Sequence, residues 1–223
     1  MPPDKAASAD NQQETLQSFY YYTGFCCGEI SCSLVRFRNP TSLTGGVRYY
    51  PDITISNADD RHLNEINQVI GGGLGIISPI KGGFNLKFRG KRKANRLLAF
   101  FDSYPPIVGD LFQSRLALLR YSIAVLQCRT TRKHSRNDRD ILEHIRDQFV
   151  YIKKTGKPLR TFSQHQQDSM AIGYFLAGVF DAEGSVGLKS RGIGKTKQPF
   201  FAVAMKDQRV VELFHSFLGV GHF

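Results

Sequence analysis

The amino-acid sequence predicts an α+β fold in which one unit of helices and paired strands occurs twice, with the second copy incomplete. Two observations lead to this prediction. The chain contains an internal repeat, and within the first copy the hydrophobic pattern switches between the helical period and the alternation typical of strands. At 223 residues the chain is long enough for two units that each bury a core.

The first stretch of the repeat joins helix to strand. Residues 21–34, "YYTGFCCGEISCSL", align with residues 174–188, "YFLAGVFDAEGSVGL", so that Glu29 falls on Glu183. In both copies an apolar helical pattern ends at this acid, and an extended pattern follows it. The alignment indicates that the two glutamates hold equivalent places.

The second stretch of the repeat covers a strand and the helix that follows it. Residues 53–73 align without a gap on residues 201–221, and Asp59 falls on Asp207, two positions before an arginine in each copy. The apolar positions of the following helix also coincide. One ancestral unit therefore occurs twice.

Periodicity and turn residues give the order of elements in the first copy. Glycines stop the second helix, "KGG" joins two strands, and the third helix ends before "YPP". The predicted elements are a helix at 15–28, strands at 30–38 and 47–56, a helix at 60–70, strands at 74–80 and 83–89, and a helix at 91–102. Helices at 110–128 and 139–154 are predicted to connect this copy to the second.

The predicted organisation has four parts: a flexible leader at 1–17, a first domain at 18–130, a basic helical linker at 131–168 and an incomplete second domain at 169–223. The second copy stops just after "GVG", where the first copy continues with its third and fourth strands and a helix. We therefore expect a fragment of a longer reading frame or the product of a decaying gene.

The charge of the chain favours a polyanionic partner. The formal net charge is +11 and the pI is near 9.6, and lysines and arginines cluster at residues 87–96 and 129–139. Each phosphate contact made by such a patch releases condensed counterions, which favours binding to nucleic acid. A solvated basic face is the alternative interpretation of charge alone.

Cysteine usage and hydropathy restrict the compartment. The four cysteines, at positions 26, 27, 32 and 128, form no CxxC pair, which favours buried thiols in a reducing compartment over a zinc site. No run approaches the roughly 20 apolar residues of a membrane span, and the leader lacks the apolar core of a signal peptide. We expect no membrane partner, and the bacterial cytoplasm or an organelle matrix as location.

Two acids occupy an unfavourable place at the end of the second-copy helix. The C-terminus of a helix carries about half a negative charge, so Asp181 and Glu183 lie where cations are preferred. A positive group should compensate them. The duplicate acid Glu29 makes a shared role more probable than an isolated surface acid, whereas Asp181 has Cys27 as counterpart and could equally be structural.

Small residues predict how the two helices meet. They recur four positions apart on one face of each helix, which allows two backbones to approach closely; they are Gly24, Gly28, Gly178 and Ala182. Docking by these faces would bring the two glutamates together, and a divalent cation would reverse their repulsion. Oxygen ligands favour Mg²⁺, with Mn²⁺ as a substitute, and metal-assisted hydrolysis of a phosphodiester follows.

At this point a family resemblance is evident. "FLAGVFDAEGSV" resembles the motif that names the LAGLIDADG homing endonucleases, and "YTGFCCGEIS" resembles a divergent first copy of it. The resemblance implies a pseudo-twofold pair of αββαββα units, with the motif helices at the interface and saddle-shaped antiparallel sheets over the DNA major groove. It also implies that Glu29 and Glu183 are the catalytic acids and ligate the metal.

The resemblance further implies that side chains of the strands read bases while loops hold phosphates. The expected DNA-binding residues are Arg36, Arg38, Arg48, Asn85, Lys87 and Arg89 in the first copy, and Lys189, Arg191, Lys195 and Gln198 in the second.

The sequence departs from the family pattern near the motifs. Ile30 stands where the first motif usually has glycine, and Cys27 stands in the place of its first acid. The family often has a lysine shortly after the proline that follows the third helix, but "YPPIVGDLF" contains none. A neighbouring lysine or arginine would have to substitute for it.

The leading hypothesis is a site-specific DNA endonuclease of a mobile intron, acting on double-stranded DNA and monomeric when complete. An intein is disfavoured because no protein-splicing block is visible. The alternatives are an RNA-splicing maturase with intron RNA as partner, a non-catalytic DNA-binding protein, and an inactive fragment.

Overall fold

The computed structural model describes residues 9–38, 46–127, 135–191 and 196–222. The first repeat contains α1 (Ala9–Glu29), β1 (Ile30–Arg38), β2 (Val47–Asn57), α2 (Asp60–Val69), β3 (Ile76–Ile80), β4 (Gly83–Arg89) and α3 (Lys91–Ser103). The connecting helices are α4 (Asp110–Gln127) and α5 (Arg136–Thr155), and the second repeat contains α6 (Ser169–Glu183), β5 (Gly184–Arg191), β6 (Thr196–Val203) and α7 (Gln208–Leu218). This order of elements confirms the predicted fold class.

The first sheet is antiparallel, with strand order β1-β2-β4-β3. Side chains alternate along β1, so that Ile30, Cys32 and Leu34 are buried while Ser31 and Ser33 lie on the opposite side. Helices cover the buried side. The helix-covered side of the sheet is therefore the core of the first unit.

The opposite side of this sheet carries no helix in the described structure, and we call it the open face. The register places its residues opposite one another on four strands. The open face consists of Ser31, Ser33, Val35 and Phe37 of β1, Arg48, Tyr50, Asp52, Thr54 and Ser56 of β2, Asn85, Lys87 and Arg89 of β4, and Ile76, Ser78 and Ile80 of β3.

The two repeats meet through α1 and α6, which pack closely along their lengths. A Cβ added to Gly24 would lie 1.9 Å from the carbonyl oxygen of Phe175, and one added to Gly178 would lie 1.9 Å from that of Tyr21. Any side chain at either glycine would overlap the backbone of the other helix. The small residues therefore permit the close approach that brings the ends of both helices together.

Some helix boundaries differ from the prediction for identifiable reasons. Helix α1 begins at Ala9, not at residue 15, so residues 9–17 are helical where a flexible leader was predicted. Alanine, glutamine, glutamate and leucine in "ADNQQETLQ" all have high helix propensity. Helix α5 begins at Arg136 because Ser135 and Asp138 form a reciprocal capping box, with distances of 3.1 and 2.9 Å between side-chain oxygen and backbone nitrogen.

Helix α5 is fastened to the first sheet by Glu143. Its Oε1 accepts a hydrogen bond from the hydroxyl of Tyr49 at 2.6 Å and lies 3.2 Å from Nε of Arg36. This contact directs α5 along the helix-covered side of β1. No helix in the described ranges is long and apolar enough to span a membrane.

The second sheet pairs β5 with β6 in antiparallel register, from Gly184 opposite Val203 to Arg191 opposite Thr196. Within residues 135–191 and 196–222 these two strands are its only members. Helix α7 follows β6 as α2 follows β2, so the second repeat reproduces the local structure of the first.

Candidate active site

Glu29 and Glu183 are the last residues of α1 and α6 and lie beside each other. A Cβ added to Gly28 would lie 3.3 Å from Oε1 of Glu183, which places that carboxylate against the final turn of α1. Neither helix has a basic residue in its last turn. Two helix C-termini and two carboxylates therefore combine their negative charge at one point.

The electrostatic environment opposes ionisation of both acids. Burial, and secondly the charge of Glu183, raise the pKa of Glu29 to about 7. Burial also raises the pKa of Glu183. In the described part of the chain neither carboxylate forms an ion pair. The charged form of the pair is therefore unfavourable without a cation, and such raised pKa values are typical of functional sites.

A cavity of about 500 Å³ adjoins the two carboxylates. Besides Glu29 and Glu183, three cationic residues line it: Arg115 of α4, Lys153 of α5 and Lys206 of the segment between β6 and α7. The guanidinium of Arg115 donates a hydrogen bond to the carbonyl of Ile30 at 2.9 Å. This bond joins α4 to the first residue of β1, which directly follows α1.

The departures from the family motif have simple structural explanations. Ile30 turns its side chain into the core of the first unit, where it is 2% exposed, so that the position does not require glycine there. Cys27 is buried, and burial raises the pKa of its thiol well above the ordinary range. A thiol is small enough to lie against Gly109, where an added Cβ would be 2.9 Å from its Sγ.

Asp181, the counterpart of Cys27, has a partner of its own. The hydroxyl of Tyr21 donates a hydrogen bond to its Oδ2 at 2.7 Å. This contact ties the last turn of α6 to α1. The structure therefore gives Asp181 a bridging contact between the motif helices.

The donor set suits a hard divalent cation that keeps several water ligands. Two carboxylates on adjacent helix ends supply oxygen donors, and Mg²⁺ is commonly bound by one or two carboxylates together with water and substrate phosphates. A cluster of three or more histidine, cysteine, aspartate or glutamate residues able to hold a metal by themselves does not occur in the described ranges. A metal here would need ligands from a substrate or from solvent.

The structure divides the predicted DNA-binding residues into two groups. Arg48, Asn85, Lys87 and Arg89 lie on the open face. Arg36 and Arg38 belong to the alternate set of β1 positions, on the helix-covered side, and Arg36 pairs there with Glu143. Arg89 is itself held by Asp52, with 3.0 Å between Nε and Oδ1, and lies over the ring of Tyr50.

The second-unit residues of this set lie on β5 and β6. Lys189 stands directly opposite Gln198 in the register, and both are exposed. Arg191 is opposite Thr196 at the far end of the same pair of strands. Lys195 lies outside the described residues.

Sequence reasoning missed the cations of the cavity. Arg115 and Lys153 belong to connecting helices, which carry no repeat signal. Lys206 could have been noticed, because it immediately precedes Asp207 in the aligned repeat and its counterpart is Ala58.

Comparison with known proteins places this geometry in a recognised fold. No protein-family model and no curated protein matches the sequence. The chain matches the crystal structure of the LAGLIDADG homing endonuclease I-GzeII in complex with its DNA target at a TM-score of 0.73 and 18% identity, over 91% of this chain and 72% of that chain.

Two other LAGLIDADG homing endonucleases match similarly. I-LtrWI bound to target DNA matches at a TM-score of 0.71 and 17% identity, over 93% of this chain and 74% of that chain. I-SmaMI bound to an uncleaved DNA target in the presence of calcium ions matches at 0.68 and 19%, over 92% and 74%. At these identities the likeness shows the fold, and it confirms at that level the resemblance indicated by the motifs.

Proposed function

We infer that this chain, which has the fold of the LAGLIDADG homing endonucleases, is a site-specific endonuclease that hydrolyses phosphodiester bonds of double-stranded DNA. The observation that carries this inference is the pair Glu29 and Glu183, held side by side at the ends of two packed helices. A carboxylate pair of raised pKa has no evident structural benefit, since it destabilises the chain in which it lies.

The two carboxylates would hold the divalent cation, Mg²⁺ or Mn²⁺ in its place. Such a cation lowers the pKa of bound water and neutralises charge on the phosphate. Glu29 and Glu183 supply anionic oxygens on both sides of the helix interface, so that they fix the position of the reacting phosphate relative to both units. Their charge is then compensated, which removes the repulsion that opposes their ionisation.

The open face supplies the surface for the duplex. Arg48, Asn85 and Lys87 project from the uncovered side of the first sheet, and Lys189 and Gln198 lie on the second. Arginine, lysine and amide side chains are the types that read base edges in the major groove. Arg36 is not included, because its contact with Glu143 holds it on the other side. The net charge of +11 supplies the non-specific affinity.

Other proteins of this fold support the proposal. The crystal structures of I-GzeII and I-LtrWI contain their DNA targets, and that of I-SmaMI contains DNA in the presence of calcium ions. A divalent cation together with duplex DNA in the same fold is consistent with the chemistry that the carboxylate pair suggests here.

The test compares the wild-type chain with the double variant Glu29→Gln, Glu183→Gln. A duplex is first recovered from a randomised library by binding to wild-type protein in Ca²⁺ and is then incubated with Mg²⁺. We expect the wild type to cut it, and we expect the double variant to bind it while cutting at least ~100-fold more slowly, as for loss of essential active-site groups. Glu212→Gln, an exposed acid of α7, is the matched control. Equal cutting by the double variant would refute the role of the pair.

A further inference from the structure

Asp52 is an unexpected residue on the surface proposed to receive DNA. It lies at the middle of β2 on the open face, and it is the only acid among the open-face residues of the described structure. The same face carries three cations, Arg48, Lys87 and Arg89. Because a carboxylate repels the phosphates of a duplex, an acid in this position lowers the affinity for DNA unless it has another role.

Asp52 is paired with Arg89, which stands directly opposite it on β4. Nε of Arg89 lies 3.0 Å from Oδ1 of Asp52, and Nη2 lies 3.4 Å from Oδ2. The guanidinium also lies over the ring of Tyr50, with 5.2 Å between its central carbon and the ring centroid. Two residues of β2 therefore restrict the positions that this guanidinium can take.

The contact with Asp52 leaves one edge of the guanidinium available. The side chain of Asp52 is 16% exposed, whereas that of Arg89 is 58% exposed. Asp52 occupies the edge that contains Nε, and in the part of the chain that the structure describes no hydrogen-bond partner occupies the outer edge formed by Nη1 and Nη2. Two parallel N–H donors on a rigid fork match the O6 and N7 acceptors of guanine in the major groove.

Stability is a weak explanation for this ion pair, because exposed pairs contribute little to it. Orientation is a stronger explanation. An arginine side chain has many rotamers, and holding it in one of them before DNA binds reduces the entropy that binding costs. The negative charge of Asp52 also offsets that of the guanidinium, which weakens its attraction to any phosphate and leaves the directional hydrogen bonds that distinguish bases.

We propose that Asp52 positions Arg89 to read one guanine of the DNA target, and that Asp52 itself makes no contact with the DNA. This inference rests on the proposed endonuclease function, and it describes the target of that enzyme. The target contains a guanine facing the two central strands of the first sheet. Arg89 is then the residue that determines specificity at this base pair, and Asp52 is a positioning residue that acts through it.

The experiment measures binding in Ca²⁺ and does not depend on cutting. Duplexes are recovered from the randomised library with the wild type, and affinities are then measured for the recovered duplex, for derivatives with one base pair changed at a time, and for an unrelated duplex. We expect one guanine whose replacement weakens binding at least ~10-fold. Arg89→Lys keeps the charge but lacks the fork, so it should lose this preference while its affinity for the unrelated duplex changes by less than about 2-fold.

Asp52→Asn separates positioning from direct contact. It should reduce the preference for guanine at that position by about 5-fold, because the carboxylate no longer holds the guanidinium. It should also strengthen binding to the unrelated duplex and steepen the slope of log affinity against log salt by about 0.9, since Arg89 is then able to contact a phosphate. In an Arg89→Met background, Asp52→Asn should cause no further change in base preference, because the acid acts only through the arginine.

The matched control is Asp102→Asn. It breaks another aspartate–arginine pair, formed with Arg120 between α3 and α4 and outside the open face. This variant should keep the base preferences and the salt dependence of the wild type. The same loss of guanine preference in the control would show that the effect does not come from the open face.

Three further results would overturn the inference. An unchanged guanine preference in Asp52→Asn would make the ion pair purely structural, and an effect of Asp52→Asn that persists in the Arg89→Met background would make Asp52 a DNA contact. A wild type without a guanine preference that depends on Arg89 would remove Arg89 as a reader. These failures leave intact a cutting activity that depends on Glu29 and Glu183, whereas a chain that binds its duplex selectively and never cuts it overturns the proposed function alone.

Discussion

The two repeats have the same local structure but differ in how they bury it. Ile53 of β2 is fully buried, whereas its counterpart Phe201 of β6 is 55% exposed. Leu34 is 2% exposed and its counterpart Leu188 is 63% exposed. Identical alternation along a strand therefore leads to a core in one unit and to an exposed apolar surface in the other, which shows that periodicity decides orientation but not burial.

The difference in burial comes from the elements that cover the helix-facing side of each sheet. In the first unit β4 adds to the edge of β2 and presents Leu86 and Phe88, both fully buried, and α3 packs behind them. In residues 196–222 no strand adds to β6. The second unit is attached to the rest of the chain by the packing of α6 on α1. Asp207 and Arg209 add hydrogen bonds to Leu111 and Asp110 at the start of α4.

The aligned Asp-x-Arg triplet shows the same contrast in reverse. Asp59 and Arg61 form a local pair on the surface of the first unit, 3.0 Å apart. In the second unit Arg209 instead donates hydrogen bonds to Asp110 at 2.9 Å and to the carbonyl of Phe162 at 2.6 Å. The same sequence signal thus makes an exposed pair in one unit and an interlock between units in the other.

The largest expected effect tests the contact that joins the two units. Gly178→Leu should abolish the native packing of α6 on α1, at a cost of more than about 4 kcal/mol, because the new side chain would overlap the backbone of Tyr21. Urea unfolding followed by circular dichroism measures it. Ala177→Leu, at the neighbouring exposed position, should change stability by less than about 1 kcal/mol; similar losses in both variants would contradict the packing described.

The next prediction tests the unequal cores directly. Ile53→Ala should destabilise the chain by about 2–4 kcal/mol, because it creates a cavity in a covered core. Phe201→Ala should cost less than about 1 kcal/mol, although phenylalanine is the larger side chain, because half of it is already in contact with water. Urea unfolding of the two variants measures both losses of free energy of unfolding. A larger loss for Phe201→Ala would show that the second unit buries this side chain in solution.

The sequence predicts features that depend on residues close together in the chain better than features that depend on contacts between distant residues. Element order followed from hydrophobic periodicity within about 20 residues. The proximity of Glu29 and Glu183 followed from the repeat and from the small residues on one face of each motif helix. Arg36 was expected among the DNA-binding residues because of the family resemblance, and a shift of one residue along a strand moves a side chain to the other face. Its orientation is set by Glu143, a residue more than one hundred positions away in sequence.

The cations of the cavity were unpredictable for the same reason. Lys153 and Lys206 line the same cavity, where the stem of Lys206 lies against Gly156 at the end of α5. No local pattern encodes such a meeting of distant segments. The sequence did show that "YPPIVGDLF" has no lysine where the family often has one, so that another lysine or arginine would have to take its place.

A smaller effect is expected from the arginines of the repeated triplet. Arg209→Met should cost about 2 kcal/mol, because it leaves the side chain of Asp110, only 9% exposed, without its cationic partner. Arg61→Met should cost less than about 0.5 kcal/mol, since the side chain of Arg61 is 88% exposed. Thermal unfolding of both variants gives the comparison. Equal shifts would mean that the interlock between the units contributes no more than a surface pair.

The smallest expected effect concerns the glutamates themselves, in protein without divalent metal. The pKa of Glu29 is raised to about 7 in the folded chain, so the folded state retains a proton that the unfolded state loses between its ordinary pKa of about 4.3 and pH 7. Stability should therefore fall as the pH rises through this window. Glu29→Gln removes the ionisable group and should stabilise the chain by ~1 kcal/mol at pH 8, after allowance for partial solvent screening, and by nothing at pH 4.

Melting temperatures at the two pH values measure this difference, and Glu183→Gln should show the same sign of effect, because burial raises the pKa of that acid too. Addition of Mg²⁺ at pH 8 should raise the melting temperature of the wild type and leave that of the double glutamine variant unchanged, because a ligand stabilises only the state that binds it. If Glu29→Gln is no more stable than the wild type at pH 8, the ionisation of Glu29 beside Glu183 does not destabilise the folded chain. The pair would then lose the electrostatic reason for assigning it to a cation.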